Sequence, residues 1–488
     1  MAAFTVVPSD RTWLLAVCAG IVGVAGLLVG TICGLAYSYV GGQLRHCFAF
    51  VAVGFASGAL IGQRLLASRP IGEQLLMALA GAVVGAVVLV WRSRRKPAEL
   101  RASKDLSRYR WAQFSLGSLL VMVALTCAVL ALLVSRPVAQ RQAMATLHRH
   151  GAKIKLEPAI PEWVPRLLGD ETREFFDHVT EINLVGRAIG DSELTCLRQF
   201  PEVRNLNLER TWITDAGMAH IARLTRLETL NLFGTGITDA GLRNLNNLRD
   251  LRELRLSVTK LTDAGLDQLT GLARLESLEL AGTAITDEGL EQFRCLAQLR
   301  SLDLNSLPIT DAGLVHLAKL TQLQSLNLRG TKVLGPGLAH LRGLHRLNEL
   351  FLDGTSVGDV SLAPLGELQS LDALGLGRTK ITDDGVARLA AFVPKISRLD
   401  VSGCQITDAG LEHIGKLHNW ILNLASTSIT DDGLMLLADQ HHLWSLDVSK
   451  TRVTAEGINR FQQCVQRNRQ RAMGLGSDTR MPGVEVVP

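Results

Sequence analysis

The sequence predicts an α/β solenoid: a parallel concave sheet backed by convex helices in about twelve repeats, preceded by a transmembrane helical domain of about four spans. Three observations predict it. A 24-residue period runs through more than half of the chain, each period opens on alternating leucines, and long apolar runs are confined to the first 134 residues. The second apolar residue of each predicted strand falls at Leu184, Leu208, Leu232, Leu256, Leu280, Leu304, Leu328, Leu352, Leu376, Val401, Leu424 and Val448. These are twelve positions with one step of 25 and one of 23. A period between 20 and 29 residues with this grammar means stacked strand-plus-helix units, each burying its apolar face against its neighbours.

One unit, Leu227 to Asp250, shows the logic. Leu230 and Leu232 point inward from a short strand, while Thr229, Asn231 and Phe233 point out. After the Gly234-Thr235 turn, Ile237 returns to the interior. Thr238 and Asp239 then offer an oxygen and a negative charge to the start of a helix. Ala240 and Gly241 keep its first turn slim, and Leu242, Leu245 and Leu248 form its inner stripe. The third residue after the strand is Thr in nine units, the exceptions being Arg187, Leu307 and Cys404. A small hydrogen-bonding group there can satisfy the turn's own backbone.

This grammar resembles the leucine-rich repeat family, closest to its cysteine-containing subtype, over residues 179–458. Cys404-Gln405-Ile406-Thr407-Asp408-Ala409-Gly410-Leu411 comes nearest; elsewhere Thr replaces Cys. The resemblance implies the solenoid fold and is almost silent on ligand. No F-box-like helical module precedes the repeats, so a ubiquitin-ligase role does not carry over. The layout also resembles bacterial membrane-anchored proteins with such repeats, through Phe114-Ser115-Leu116, Arg136 to Arg141 and Leu167-Leu168-Gly169-Asp170. That group implies no established activity.

Apolar runs at residues 12–40, 47–62, 75–91 and 114–134 predict the spans, the second being short for a bilayer. No Asp, Glu, Lys, Arg or His lies inside them, which disfavours transport. Eight basic residues between Arg92 and Arg110 predict a cytoplasmic loop. The expected location is the cell (inner) membrane, with the repeats on the extracytoplasmic side. Glycines at four-residue spacing, such as Gly26, Gly30 and Gly34, suit close helix packing, within the chain before dimerisation.

Residues 1–134 carry 12 basic and 4 acidic residues, and the remainder 39 and 42. The basic balance therefore belongs to the anchor and gives no argument for nucleic acid. Arg460, Arg467, Arg469 and Arg471 read as a solvated end-cap on the last repeat. Cys196, Cys295, Cys404 and Cys464 have no metal-ligand spacing and read as small buried apolar residues. Between anchor and repeats, residues 135–178 predict a helix from Val138 to His150, a strand from Lys153 to Leu156, and a capping cluster of Trp163, Leu167, Leu168, Phe175 and Phe176. Residues 459–488 form a C-terminal cap and a tail, disordered from Met473 onward.

No phosphate-binding loop, nucleophile elbow or zinc motif occurs, so neither enzyme nor cofactor is expected. The expected partner is a protein, or an envelope polymer. The alternatives are a sensor relaying ligand binding to the basic loop, and a cytoplasm-facing adaptor. The outward middle position of each strand is mostly Asn or Asp, which simply solvates the face. Departures mark the candidate binding patch: Arg329 and Phe351 beside a bare strip at Gly375, with Phe233 and Arg255 as a second patch.

Overall fold

The structure is a computed structural model and describes residues 139–158, 177–393, 395–417, 421–440, 442–472 and 484–488. All lie in the second of two units into which the chain divides, Arg136–Pro488. One sheet of 14 strands runs in sequence order. It comprises β1 (Lys153–Glu157), β2 (His178–Asn183), β3 (Asn205–Asn207), β4 (Thr229–Asn231), β5 (Glu253–Arg255), β6 (Ser277–Glu279) and β7 (Ser301–Asp303). It continues through β8 (Ser325–Asn327), β9 (Glu349–Phe351), β10 (Ala373–Gly375), β11 (Arg398–Asp400), β12 (Ile421–Asn423), β13 (Ser445–Asp447) and β14 (Glu485–Val487). The strands β2 to β13 are the twelve repeats, paired parallel with equivalent residues in register, as in Leu230 opposite Leu254. Each inward leucine is essentially inaccessible to solvent. At about 25 cal/mol per Å² of apolar surface, this continuous leucine column is the principal stabilising term.

The predicted fold class needs correction in one part. The solenoid stands, but among the described residues no helix is long and apolar enough to cross a membrane. The longest of these described helices, Ala455–Ala472, is strongly polar. The transmembrane domain is therefore dropped from the fold class; its four expected spans and glycine stripes lie outside the described residues. So does the cluster from Trp163 to Phe176.

The helical side also differs from the simple α-helix expected. In the unit of β4, an α-turn at Asp239–Leu242 passes into a 3-10 helix at Arg243–Asn247. The apolar residues Leu242, Leu245, Leu248 and Leu251 recur at intervals of three, the period of a 3-10 helix rather than of an α-helix. The 25-residue unit has room for a ten-residue α-helix, Asp383–Phe392.

The threonine after each strand does satisfy the turn. All nine donate their hydroxyl to the carbonyl three residues back, as Thr235 does to Leu232 at 2.7 Å. Cys404 instead donates its thiol across to the Leu376 carbonyl of the preceding unit, at 3.0 Å. Burial raises its thiol pKa. Of the other cysteines, Cys196 and Cys464 are partly buried, whereas Cys295 is exposed, against expectation.

Thr238 and Thr407 cap their own helices, but Thr214, Thr262, Thr382 and Thr430 make no such side-chain bond, and the more general role of the Thr-Asp pair lies between units. Asp215 accepts from the backbone N–H of Thr238 at 2.8 Å and from its hydroxyl at 2.6 Å, one unit further on. Nine junctions between units carry such a rung. The glycine of Ala-Gly-Leu makes room for it: a Cβ on Gly241 would overlap the Asp215 carboxylate. At the next junction after Thr310, Asp311 accepts instead from the backbone of Leu334, Gly335 and Gly337. One junction, between the β8 and β9 units, has neither partner, because Gly335 and Gly358 stand where Asp and Thr would be.

Both ends are closed. Residues 139–149 form a helix, and β1 pairs antiparallel with β2. At the other end Ala455–Ala472 buries Phe461 and Val465. Arg469 is buried rather than solvated and donates to the Leu443 carbonyl. The segment expected to be disordered includes β14, which adds a parallel strand to β13 and buries Val484.

Candidate functional site

Most Asn and Asp residues in the outward middle column are committed to the backbone, a role beyond the solvation expected of them. Asn207 Oδ1 accepts from the Glu209 N–H at 3.0 Å, and Asn231, Asp303, Asn327, Asp400, Asn423 and Asp447 repeat the contact two residues on. Their short side chains close an Asx turn where the strand ends. Four positions cannot do this: Arg255, Glu279, Phe351 and Gly375. Three were candidates from sequence; Glu279 was not.

The structure brings Arg329, Phe351 and Gly375 together on adjacent strands, with Gly375 in register beside Phe351 and Phe351 beside Asn327. The Arg329 guanidinium stacks 4.2 Å from the Phe351 ring centroid and donates through Nε to Asp353 Oδ2 at 2.7 Å. Gly375, however, is not a bare strip. It is buried, because the Asp353 carboxylate lies across it, where any Cβ would overlap Oδ2. Asp353 Oδ1 meanwhile accepts from the Gly377 N–H at 3.0 Å, supplying from β9 the turn closure that residue 375 cannot. Arg398 reaches over Ala373 to Glu349 at 2.7 Å, covering the rest of that strand.

This cluster has a structural consequence. Arg329 belongs to the β8 unit and Asp353 to the β9 unit, so their bond bridges the one junction that has no aspartate bridge on its helical side. The charged bond and stacked ring there replace on the sheet face what is missing on the helical side.

The second candidate patch is looser. The Arg210 guanidinium lies 5.5 Å from the Phe233 ring centroid, and Arg255 Nε is 3.2 Å from Glu279 Oε1. Phe233 and Arg255 do not touch the first patch; four strands, β5 to β8, separate Phe233 in the β4 unit from Phe351 on β9.

Between the patches the face is acidic. Across the three outward columns of twelve strands stand nine carboxylates and three guanidiniums, Arg255, Arg329 and Arg398, each paired with a carboxylate. Glu279 and Asp303 lie directly opposite one another on β6 and β7. Burial raises the Glu279 pKa, Arg255 opposes this, and Asp303, Glu253 and Glu209 raise it further. Burial likewise raises Asp303, against the Asn305 N–H, Arg329 and Asn327, which lower it. Like charges held opposite each other on a sheet are destabilising. The sequence signal that would have found Glu279 is the failure of the Asx rule at residue 279; the opposition with Asp303 needed the register.

Among the described residues no group of His, Cys, Asp and Glu could hold a metal ion. The family described as leucine-rich repeat matches residues 224–245, 274–293, 394–415 and 421–438. No curated protein matches the chain. Among solved structures, the chain is similar to an internalin from Listeria monocytogenes, at 20% identity over 62% of this chain and 91% of that one, with a TM-score of 0.47. It is similar also to a leucine-rich repeat protein from Leptospira interrogans, at 18% identity over 56% and 72%, with a TM-score of 0.40. A third is the ectodomain of a plant receptor kinase from Arabidopsis thaliana, at 16% identity over 55% and 41%, with a TM-score of 0.32. The twelve units, their register and the matched segments make the solenoid of this chain one of leucine-rich repeats.

Proposed function

We propose that this protein is a non-catalytic recognition scaffold that binds a protein partner on the outward face of its sheet. Leucine-rich repeat domains commonly bind proteins, and stacked repeats present a long, rigid surface. The observation that carries the reading is the break in the Asx rule at Arg255, Glu279, Phe351 and Gly375. Elsewhere in the middle column the side chain serves the backbone; these positions have been released from that duty. Arg, Phe and their packed neighbours are the residue types that dominate binding energy at interfaces. Arg329 and Phe351 at one end, and Phe233 and Arg255 at the other, mark the proposed surface, Gly375 being covered by Asp353.

Attachment to the cell membrane, with the repeats displayed on the extracytoplasmic side, completes the proposal and rests on the sequence of residues 1–134 alone. Protease digestion of sealed vesicles tests that placement: protection of the repeats in inside-out vesicles supports it, and digestion there opposes it. The binding face is tested with a photo-crosslinking amino acid placed singly at Ser301 or Ser325 on the sheet, or at Glu412 on the helical side. Protein adducts confined to the sheet positions are expected. Adducts absent there, or equally abundant from Glu412, would reject the face.

A further inference from the structure

The charge on the outward sheet face is lopsided in a way the fold does not require. Outside that face, residues 135–488 carry 36 basic and 33 acidic residues, so the acid excess of residues 135–488 comes from this one surface. Its three guanidiniums are already paired with Glu279, Asp353 and Glu349, which leaves six of its nine carboxylates without a guanidinium of the face. Glu279 pairs with Arg255 at 3.2 Å yet stands among further carboxylates. It cannot close the Asx turn, it faces Asp303 across the register, and Glu253 and Glu209 lie close enough to act on it. A chain selected for stability alone would carry Asn at residue 279, as it does at residues 207, 231, 327 and 423.

The surroundings narrow what could compensate this charge. The acidic stretch over β5 to β7 is flanked by Phe233, two residues past β4, and by Phe351 on β9, each stacked with an arginine. Between them the outward side chains Ser277, Ser301, Ser325, Ser257 and Ala281 are short, so an incoming chain can approach the strands closely. Five strand spacings separate the aromatics, about 24 Å at about 4.8 Å each. About seven residues of extended polypeptide span that distance.

From this footprint, and resting on the scaffold reading above, we infer that the partner is a protein presenting an extended cationic segment. Its Lys or Arg side chains meet Glu279, Asp303 and Glu253, and apolar residues at its ends meet Phe233 and Phe351. Opposite charge at this density steers association and selects against anionic partners, nucleic acid among them. Glu279 and Asp303 tolerate the fold-destabilising opposition because the bound cation relieves it.

The test uses the full chain and two fluorescein-labelled decapeptides, one alternating Lys and Ser, the other Glu and Ser. Fluorescence anisotropy is read at low and at physiological salt. The Lys-Ser peptide should bind and weaken with salt, and the Glu-Ser peptide should not bind. In the double variant E279Q/D303N the new amide at position 303 still closes the Asx turn. That variant should bind the Lys-Ser peptide about tenfold more weakly at low salt. The control E412Q/E456Q, which removes two exposed charges from the helical side, should leave binding unchanged. Equal weakening in both variants, or none in either, overturns the inference. If the sheet-face crosslinks persist while the Lys-Ser peptide ignores E279Q/D303N, the cationic partner falls and the scaffold reading stands. If the sheet-face crosslinks are absent as well, both fall.

Discussion

Val258 holds φ at 58°, a left-handed conformation costly for any residue with a Cβ and most of all for a β-branched one. Every repeat has such a residue, filled by glycine in six units and by Arg210, Val258, Ser306, Arg378, Ser426 and Lys450 in the others. V258G is expected to raise the urea midpoint, by about 1 kcal/mol of stability, because it removes that strain at an exposed position. V258A should gain much less. Glu279 and Asp303 make a second prediction at this scale. Their folded pKa values are raised, so the folded state binds their protons more tightly than the unfolded chain does. The resulting penalty is present above those raised values and disappears as the pH falls through them. E279Q/D303N should therefore be more stable than the parent chain at neutral pH, with the advantage shrinking as pH enters the carboxylate range. A urea midpoint measured against pH checks the sign; an advantage that grows on acidification contradicts it.

The Asp–Thr rung is the element that turns a sequence motif into a rigid array. D263A removes the acceptor of the Thr286 N–H and hydroxyl, at 2.8 and 2.7 Å, and should cost about 1 to 3 kcal/mol. G289A should also destabilise, since its Cβ would displace the same carboxylate. If D263A is neutral in thermal unfolding, the rung contributes little. At Asp431 the backbone N–H and then the hydroxyl of Thr454 hold the carboxyl below its usual range. That rung's contribution is present above the unfolded carboxylate pKa and is lost as pH falls through the lowered folded value. The sequence displayed Thr-Asp in most units and identified it as structural, but not what it bonds. A cap within one helix and a bridge between two use the same residues, and only the stacking distance distinguishes them. Gly375 shows the same limit: its small size was legible, but not the Asp353 carboxylate that occupies the space.

Along the solenoid, one junction has no aspartate bridge on its helical side, that between the β8 and β9 units, and there the Arg329–Asp353 bond and the Phe351 ring bridge the sheet face instead. Solenoid stability is carried by nearest-neighbour interfaces, so the weakest junction sets where the array opens. R329A should therefore raise amide hydrogen exchange on both sides of this junction, at Leu328 and Leu352, before it affects β4 or β12. Uniform exchange along the repeats would show that the bridge carries no special share. F351A would be expected to loosen the same junction as well as the proposed surface. Crosslinking and exchange measured on one F351A sample separate the two effects.

The period, twelve strands, their inward leucines and the turn threonines were determined by sequence alone. Each is local information, repeated until no other reading of the spacing survives. The outward face is also local, since alternate residues of a strand must point opposite ways. Tertiary structure alone decided which charges oppose each other, which carboxylate fills each glycine's space, and that residues near position 486 return as a strand on β13. These contacts join residues 22 to 49 or more positions apart through side chains whose reach depends on stacking register, and no single repeat encodes that register.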